Sequence, residues 1–252
     1  MNNKIITPIS AEETISRIVR NDYRTADVFY KYGITFCCGG NLPFEAVCKS
    51  RQLDETIILT ELNSITLNTE VVRLLFYEEW GLDFLIDYII NIHHRYLKES
   101  LPLAQAYVLQ FKTGHEQKFQ YLNDLYNAVI NIKMQLFAHI SEEEEIIFPY
   151  IRQVYRAETN KGAYAALLVR TLKKPIENLY KSQQHSINLL LGEFRKYTDN
   201  YTAPEKACLS HKVCFAKLAE LDVSLTQHIF LENEILFPRA VRMEKRLMSL
   251  NY

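Results

Sequence analysis

Glycine and proline are scarce in this chain, seven of each in 252 residues, and a β-sandwich or barrel of that size needs many more tight turns than they can supply. Helices are favoured. Charge of neither sign is in excess, with 29 Lys plus Arg against 30 Asp plus Glu, so no long-range field is available to hold a nucleic-acid backbone or an anionic membrane. No nucleic-acid or membrane partner is expected. The chain also lacks any run of eighteen apolar residues, and no apolar stretch follows the first lysine of its N-terminus, MNNKIITPISAEETI. Neither a spanning helix nor a secretion signal is read there, which gives the expectation of a soluble, cytoplasmic protein. Its five cysteines, Cys37, Cys38, Cys48, Cys208 and Cys214, are odd in number and argue for reduced thiols over a disulfide framework. Cys37 and Cys38 are adjacent, whereas a tetrahedral zinc clamp commonly leaves about two to four residues between ligands.

What is present is a hydrophobic content of 48%, ample for one large domain or for a medium domain plus a small one. Ser10 with Glu13 forms a capping-box pattern ahead of Ile15, Ile18 and Val19 at helical spacing. A second short helix is expected from Thr25 to Gly33, its C-cap, followed by a Cys-Cys-Gly-Gly turn. Pro43 opens a third, and a fourth is expected after Asp54. Together they predict a small helical domain over residues 1–70, near the lower size limit for an independent core.

Longer amphipathic segments follow. Residues 81–99 gather Leu82, Leu85, Ile86, Ile89, Ile90 and Leu97 on one face, with Pro102 as the expected stop. Residues 118–148 carry Leu122, Leu125, Val129, Ile132 and Leu136 in register before Pro149, a third segment spans 175–197, and a fourth spans 207–237 before Pro238. Four such segments predict an all-α chain whose residues 75–245 form a four-helix bundle.

Two stretches repeat one another: residues 139–149 read HISEEEEIIFP and residues 228–238 read HIFLENEILFP. Positions i and i+4 share a helix face, so His139 with Glu143, and His228 with Glu232, each form a two-ligand claw. Extending the apolar stripe through Ile132 and Leu136 to His139, Glu143, Ile146 and Ile147 turns the first claw toward the core. A buried carboxylate is expensive without a partner, and a cation between two of them removes the cost. A lone helical histidine is ordinarily a surface or core residue, and four consecutive glutamates read equally well as a solvated acidic face. The matched repeat, with one claw on the apolar side, favours metal. The third long segment offers His185 and the first offers His93 or His94, between which helical register does not choose. Imidazoles with carboxylates suit iron, and carboxylates can bridge two ions. His115 and His211 have no such partners and are expected on the surface.

These residues resemble the repair of iron centres family, the iron-sulfur cluster repair di-iron proteins. Residues 24–41, RTADVFYKYGITFCCGGN, are similar to its short N-terminal domain, and residues 80–243, with LIDYIINIHH, HISEE and HIFLENEILFPRA, are similar to its haemerythrin-like domain. The resemblance implies two iron ions as an oxo-bridged di-iron centre, with His94, His139, His185 and His228 as terminal ligands and Glu143 and Glu232 as bridges. It selects His94 over His93 because the family's ligand lies nine positions after the first residue of an aliphatic pair, here Leu85. Gln184 and Ser186 flank His185 where the family often has acidic residues, which bears on hydrogen bonding around the ligand.

The implied function is repair of iron-sulfur clusters damaged by nitric oxide or peroxide, by donation of iron, with Cys37 and Cys38 as the thiol element. Damaged iron-sulfur proteins are then the partners and nitric oxide or oxygen the small ligands; the oligomeric state stays open, a homodimer being one way for the small helical unit to gain stability. The alternatives are a haemerythrin-type oxygen-binding or sensing protein and a di-iron oxidoreductase that reduces nitric oxide. Against a carrier, no second histidine lies one turn from His185, where Lys181 and Leu189 stand.

Overall fold

The computed structural model describes residues 8–22, 24–34, 36, 40–67, 77–160, 176 and 184–249, the side chains of 67, 160, 184–186 and 188 excepted. The described chain is helical; an isolated bridge between Thr14 and Pro43 is the one β-type pairing among those residues. Two compact units result, one from Met1–Arg73 with Thr202–Lys217, the other from Leu74–Tyr201 with Leu218–Tyr252.

In the first unit α1 (Ile15–Asn21), α2 (Thr25–Lys31), α3 (Phe44–Arg51) and α4 (Glu55–Leu67) surround Ile15, Ile18, Phe29, Phe36, Phe44 and Leu62, all fully or nearly buried. The N-cap of α1 is Thr14, whose hydroxyl accepts from Arg17 N–H at 3.3 Å. Ser10 and Glu13 instead close a turn ahead of it, with Ser10 N–H on Glu13 Oε1 at 3.4 Å, so the expected capping box begins the approach to the helix rather than the helix. Gly33 ends α2 at φ +66°, a conformation that costs glycine little, and Ile34 N–H returns to Phe29 C=O at 2.8 Å. At Gly40 a Cβ would stand 2.3 Å from the Phe36 carbonyl oxygen, so the turn admits no side chain there. Cys37, Cys38 and Gly39 lie outside the described residues.

The second unit is built of long rods. The first rod joins α5 (Leu82–Tyr88), a π-helical turn (Ile89–His94) and α6 (Arg95–His115). The next joins α7 (Leu122–Glu142), a π-helical turn (Glu143–Ile147) and α8 (Phe148–Asn160). α9 (Gln184–Tyr197) follows, and the last rod joins α10 (Leu209–Phe230), which belongs to this unit from Leu218 onward, a π-helical turn (Leu231–Leu236) and α11 (Phe237–Ser249). The first rod runs antiparallel to the second: Arg152 reaches Asp83 and Asp87, Lys98 reaches Glu144, and Lys133 reaches Gln105. It opposes the last rod likewise, through Tyr96 with Glu220 and Arg239 with the Trp80 carbonyl. Tyr150 donates to Glu244 at 2.6 Å and Arg246 to Glu158 at 2.8 Å, so the second and last rods run parallel.

The prolines do not stop these rods. Pro102 lies within α6, and Pro149 and Pro238 are each the second residue of a continuing helix. Phe148 N–H closes on Glu143 C=O and Phe237 N–H on Glu232 C=O, each five residues back. A proline withholds an N–H and presses its ring on the turn before it; a turn widened to five-residue bonding absorbs that misfit without ending the helix. The wide turn also rotates less per residue, so the core face passes from Glu143 to fully buried Ile147, while Ile146 is 46% exposed. That corrects the expected stripe, in which Ile146 faced the core. His211 is corrected too: it is 2% exposed and edge-on to Phe215 at 4.3 Å.

Asp222 ties α9 and the following turn to α10, accepting from Arg195 Nε and Nη2 at 2.7 and 2.6 Å and from Tyr201 O–H at 2.5 Å. Burial alone would raise its pKa, but the hydrogen bonds from Arg195 and Tyr201 outweigh it and hold the carboxyl below its usual range. A depressed folded pKa means stability that is present above the unfolded value of about 3.9 and lost as pH falls through the folded one. Asp222→Asn is therefore expected to cost about 1 to 3 kcal/mol in urea unfolding at pH 7. The gap between the two proteins should narrow as pH drops below about 4.

Candidate metal centre

Each wide turn carries a residue of one cluster. His94 ends the first π turn, Glu143 begins the second, and Glu232 lies in the third, one turn beyond His228. One ligand atom from each of His94, Glu143, His228 and Glu232 lies within 4.8 Å of the others, and all four residues are buried. His139 joins them, its Nε2 3.2 Å from Glu143 Oε1 and 3.5 Å from Glu232 Oε2. His94 Nε2 stands 3.4 Å from Glu143 Oε2 and 3.9 Å from Glu232 Oε1, and His228 Nε2 stands 3.5 Å from Glu232 Oε2. Every oxygen of both carboxylates thus faces an imidazole nitrogen, and the spacing from each histidine to the glutamate four residues on is the one the repeat implied.

These separations test the set as a cation site. Two donors each about 2.1 Å from one ion, at octahedral to tetrahedral angles, stand roughly 3.0 to 3.4 Å apart. The observed spacings match or slightly exceed that. Meanwhile His94 Nε2, both His228 nitrogens, both Glu143 oxygens and Glu232 Oε1 are buried with no hydrogen-bond partner among the described residues. Native interiors rarely leave so many polar atoms orphaned in one place, and a cation would satisfy together those that converge, His94 Nε2, His228 Nε2 and the carboxylate oxygens. Imidazole with carboxylate is a donor mixture suited to iron.

The electrostatics point the same way. Burial, and then the charge of Glu232, push the Glu143 carboxyl up to about 8. Burial would raise Glu232 as well, but the imidazoles of His228, His139 and His94 hold it low. His94 is raised to about 9, burial being outweighed by the facing carboxylates of Glu143 and Glu232, and burial drives His228 down to about 3. Left to themselves, these side chains keep protons between the carboxylates and His94. A cation replaces those protons, so affinity should fall as pH drops.

One supporting residue was not expected from the sequence. Glu144 Oε1 lies 2.8 Å from His94 Nδ1, and Lys98 Nζ holds the same carboxylate at 2.8 and 2.9 Å. An imidazole that offers Nε2 inward donates Nδ1–H to that carboxylate, which fixes its tautomer and orientation. In the sequence Glu144 was one of four consecutive glutamates; a signal existed only in its placement beside a ligand, half a turn from the solvated side. His93 is also buried, 4% exposed, but its ring packs against Tyr88 at 5.4 Å and is not in the four-residue cluster. The side chain of His185 lies outside the described residues, as do Cys37 and Cys38; Leu189 is 60% exposed.

Ferrous iron at a hundred times its dissociation constant should stabilise the protein by about 2.7 kcal/mol in thermal or urea unfolding. Glu143→Gln removes the carboxylate oxygen, and the negative charge, that Glu143 would offer to a cation. It is expected to leave the metal-free protein as stable as the parent or more so, and to abolish the gain from iron. An equal gain in the variant would show that the cation binds elsewhere.

Comparison with known proteins agrees with this geometry. The ScdA_N model, a domain of unknown function, matches residues 11–66, and the hemerythrin HHE cation binding domain matches residues 85–240. The iron-sulfur cluster repair protein ScdA of Staphylococcus epidermidis is 28% identical over 232 residues, covering 92% of this chain and 99% of the relative. The iron-sulfur cluster repair protein YtfE of an Enterobacter species is 28% identical over 236 residues, covering 92% and 98%. That of Escherichia coli is 29% identical over 224 residues, covering 88% and 93%. With well over half of its length matched by one cation-binding domain, and a buried His/Glu cluster inside that match, the chain belongs to the hemerythrin HHE cation-binding family.

Proposed function

We propose that this protein repairs iron-sulfur clusters damaged by nitrosative or oxidative stress, by donating iron held at an oxo-bridged di-iron centre. The observation that supports it most is the buried set of imidazoles around two carboxylates, in a chain that aligns almost end to end with relatives named iron-sulfur cluster repair proteins. In this reading His94, His139, His185 and His228 are terminal ligands, and Glu143 and Glu232 bridge. Each bridging assignment rests on a carboxylate whose two oxygens face different histidines. Iron bound there supplies a releasable cargo and one-electron redox chemistry toward nitric oxide or oxygen.

The chain's own residues set the terms of loading and release. Glu144 accepts a hydrogen bond from Nδ1–H of His94 and keeps Nε2 directed inward. The helices exclude water, so protons and iron compete directly for the same donors. Cys37 and Cys38 are the thiol element in this reading, since a vicinal pair is soft enough to accept iron or a nitrosyl group and cycles between dithiol and oxidised forms. Damaged iron-sulfur proteins are the partners, and the proposed setting is the cytoplasm, with the protein as a homodimer. Among the described residues no helix is long and apolar enough to cross a membrane.

The iron-loaded, reduced protein should reactivate a cluster enzyme inactivated by nitric oxide, and the Glu143→Gln protein should not. Replacing Cys37 and Cys38 with Ser is expected to impair transfer while leaving bound iron unchanged. Iron loss in that double variant would make the thiols ligands or structural groups instead. Failure of the parent protein to reactivate an enzyme that ferrous salt with thiol restores would remove the repair reading.

A further inference from the structure

A file of oxidisable rings leads away from the cluster. His93 stands beside the ligand candidate His228, with ring centroids 6.1 Å apart, and Tyr88 lies edge-on to His93 at 5.4 Å. Trp80 then meets Tyr88 at 5.2 Å, and Tyr77 touches both, at 5.0 Å from Trp80 and 5.7 Å from Tyr88. Each step falls in the range of direct ring contact, about 4.5 to 7 Å. Exposure rises along the file: His228 is fully buried, His93 is 4% exposed, and Tyr88, Tyr77 and Trp80 are partly exposed.

The outer end is pinned. Arg239 donates to the carbonyls of Tyr77 and Trp80 at 3.4 and 2.7 Å, and Gln227 Nε2 donates to the Tyr77 hydroxyl at 3.0 Å. Tyr88 hydrogen-bonds Tyr77, and burial together with that bond keeps its phenol protonated well above the usual range. On the other flank of the cluster His94 stacks on Phe148 at 5.6 Å, a ring that gives up electrons far less readily than tyrosine or tryptophan. Trp80 is the chain's one tryptophan.

We infer that Tyr88 and Trp80, through His93, form a relay that drains oxidising equivalents from the buried metal site to the surface when that site meets peroxide. The inference rests on the metal reading above. Tyr88 gives one electron inward and releases its phenolic proton to solvent through the Tyr77 end; Trp80 refills Tyr88, which takes a proton back; and a thiol in solvent refills Trp80. Two such passages give peroxide two electrons, and with two protons it becomes two waters while two thiols become one disulfide. The histidine ligands are spared oxidation.

The first measurement needs no metal. In the full chain freed of metal by chelation, azide radicals from pulse radiolysis take an electron preferentially from Trp80. The relay passes the oxidising equivalent from Tyr88 to Trp80, and the same ring-to-ring coupling is read here in reverse: the tryptophan radical should take its electron from tyrosine at a rate independent of protein concentration. Tyr77→Phe should keep this phase, and Tyr77→Phe/Tyr88→Phe should lose it. Absence of the phase in the parent, or its survival in the double variant, would overturn the relay.

The second measurement uses iron-loaded protein treated with hydrogen peroxide and read by mass spectrometry. Oxidation should collect on Trp80 in the parent, and move to His93, His139 and His228 in Tyr88→Phe, with faster loss of bound iron. An unchanged pattern would also overturn it. Protein that takes up no iron in either form would instead defeat the metal reading, while the metal-free measurement still decides whether the rings conduct.

Discussion

Two carboxylates shut away from water, each faced by imidazoles on both oxygens, set the terms for the rest of the bundle. Glu143 is fully buried and Glu232 is 2% exposed, and bringing one such ion into a protein interior costs several kcal/mol even after relaxation. The side chains answer that cost in part with protons, which is why Glu143 is pushed up to about 8 and His94 to about 9. The surrounding packing makes the pocket rigid. On one side lie Leu82, Leu85, Ile86, Ile151, Leu231 and Leu236, all fully buried. On the other the interior continues with buried Leu97, Leu101, Leu136, Ile140 and Leu225. With walls this complete the polar atoms cannot relax toward solvent, so an ion is the economical way to satisfy them.

The repeat gives the site its near symmetry and the wide turns give it its depth. The second and last rods run parallel and each brings a histidine, a glutamate four residues on, and a proline just beyond the turn. Because the wide turn hydrogen-bonds to the carbonyl of the clustered glutamate itself, the backbone change and the buried carboxylate are a single feature. The symmetry is broken at the next residue. Glu144 holds His94 from outside, whereas the matching position of the second copy is Asn233. His94 therefore has a fixed tautomer and a charged support, and His228, fully buried beside the rings of His93, His94 and His139, is driven down to about 3 by burial. The two halves of the cluster differ in how readily their imidazoles take a proton.

Much of this was legible in the sequence because it depends on short-range spacing. Histidine and glutamate four apart share a helix face whatever surrounds them, so both claws could be written down from HISEE and HIFLE. The small helices of the first unit could be read from Gly33 and Asp54, whose roles are local; Asp54 does accept from Ile57 N–H at 3.1 Å. What could not be read depends on a competition between backbone and packing. Pro102, Pro149 and Pro238 are ordinary stop signals, yet each lies in a helix that tertiary contacts carry past it. A π turn has no composition of its own, so the face change that buries Ile147 and exposes Ile146 was invisible. His211 was expected on the surface because it lacks a repeat partner, and its burial against Phe215 is a matter of tertiary packing alone.

On the proposed reading that its iron is cargo, a buried cation site must admit and release the ion without unfolding. Exposure within the described cluster is uneven in a way that bears on this. His94, Glu143 and His228 are wholly buried and Glu232 nearly so, while His139 is 9% exposed. Beside them Glu144 is partly exposed and tied to Lys98, whose side chain is 48% exposed. Lys98 and Glu144 thus connect the surface to His94 by two hydrogen bonds, and a surface ion pair of this kind is worth about 0 to 1 kcal/mol. The inner donors are held by the core, which is expensive to disturb. The edge at His139, and the support behind His94, are the places where the cluster can open at a cost small beside the stability of the fold.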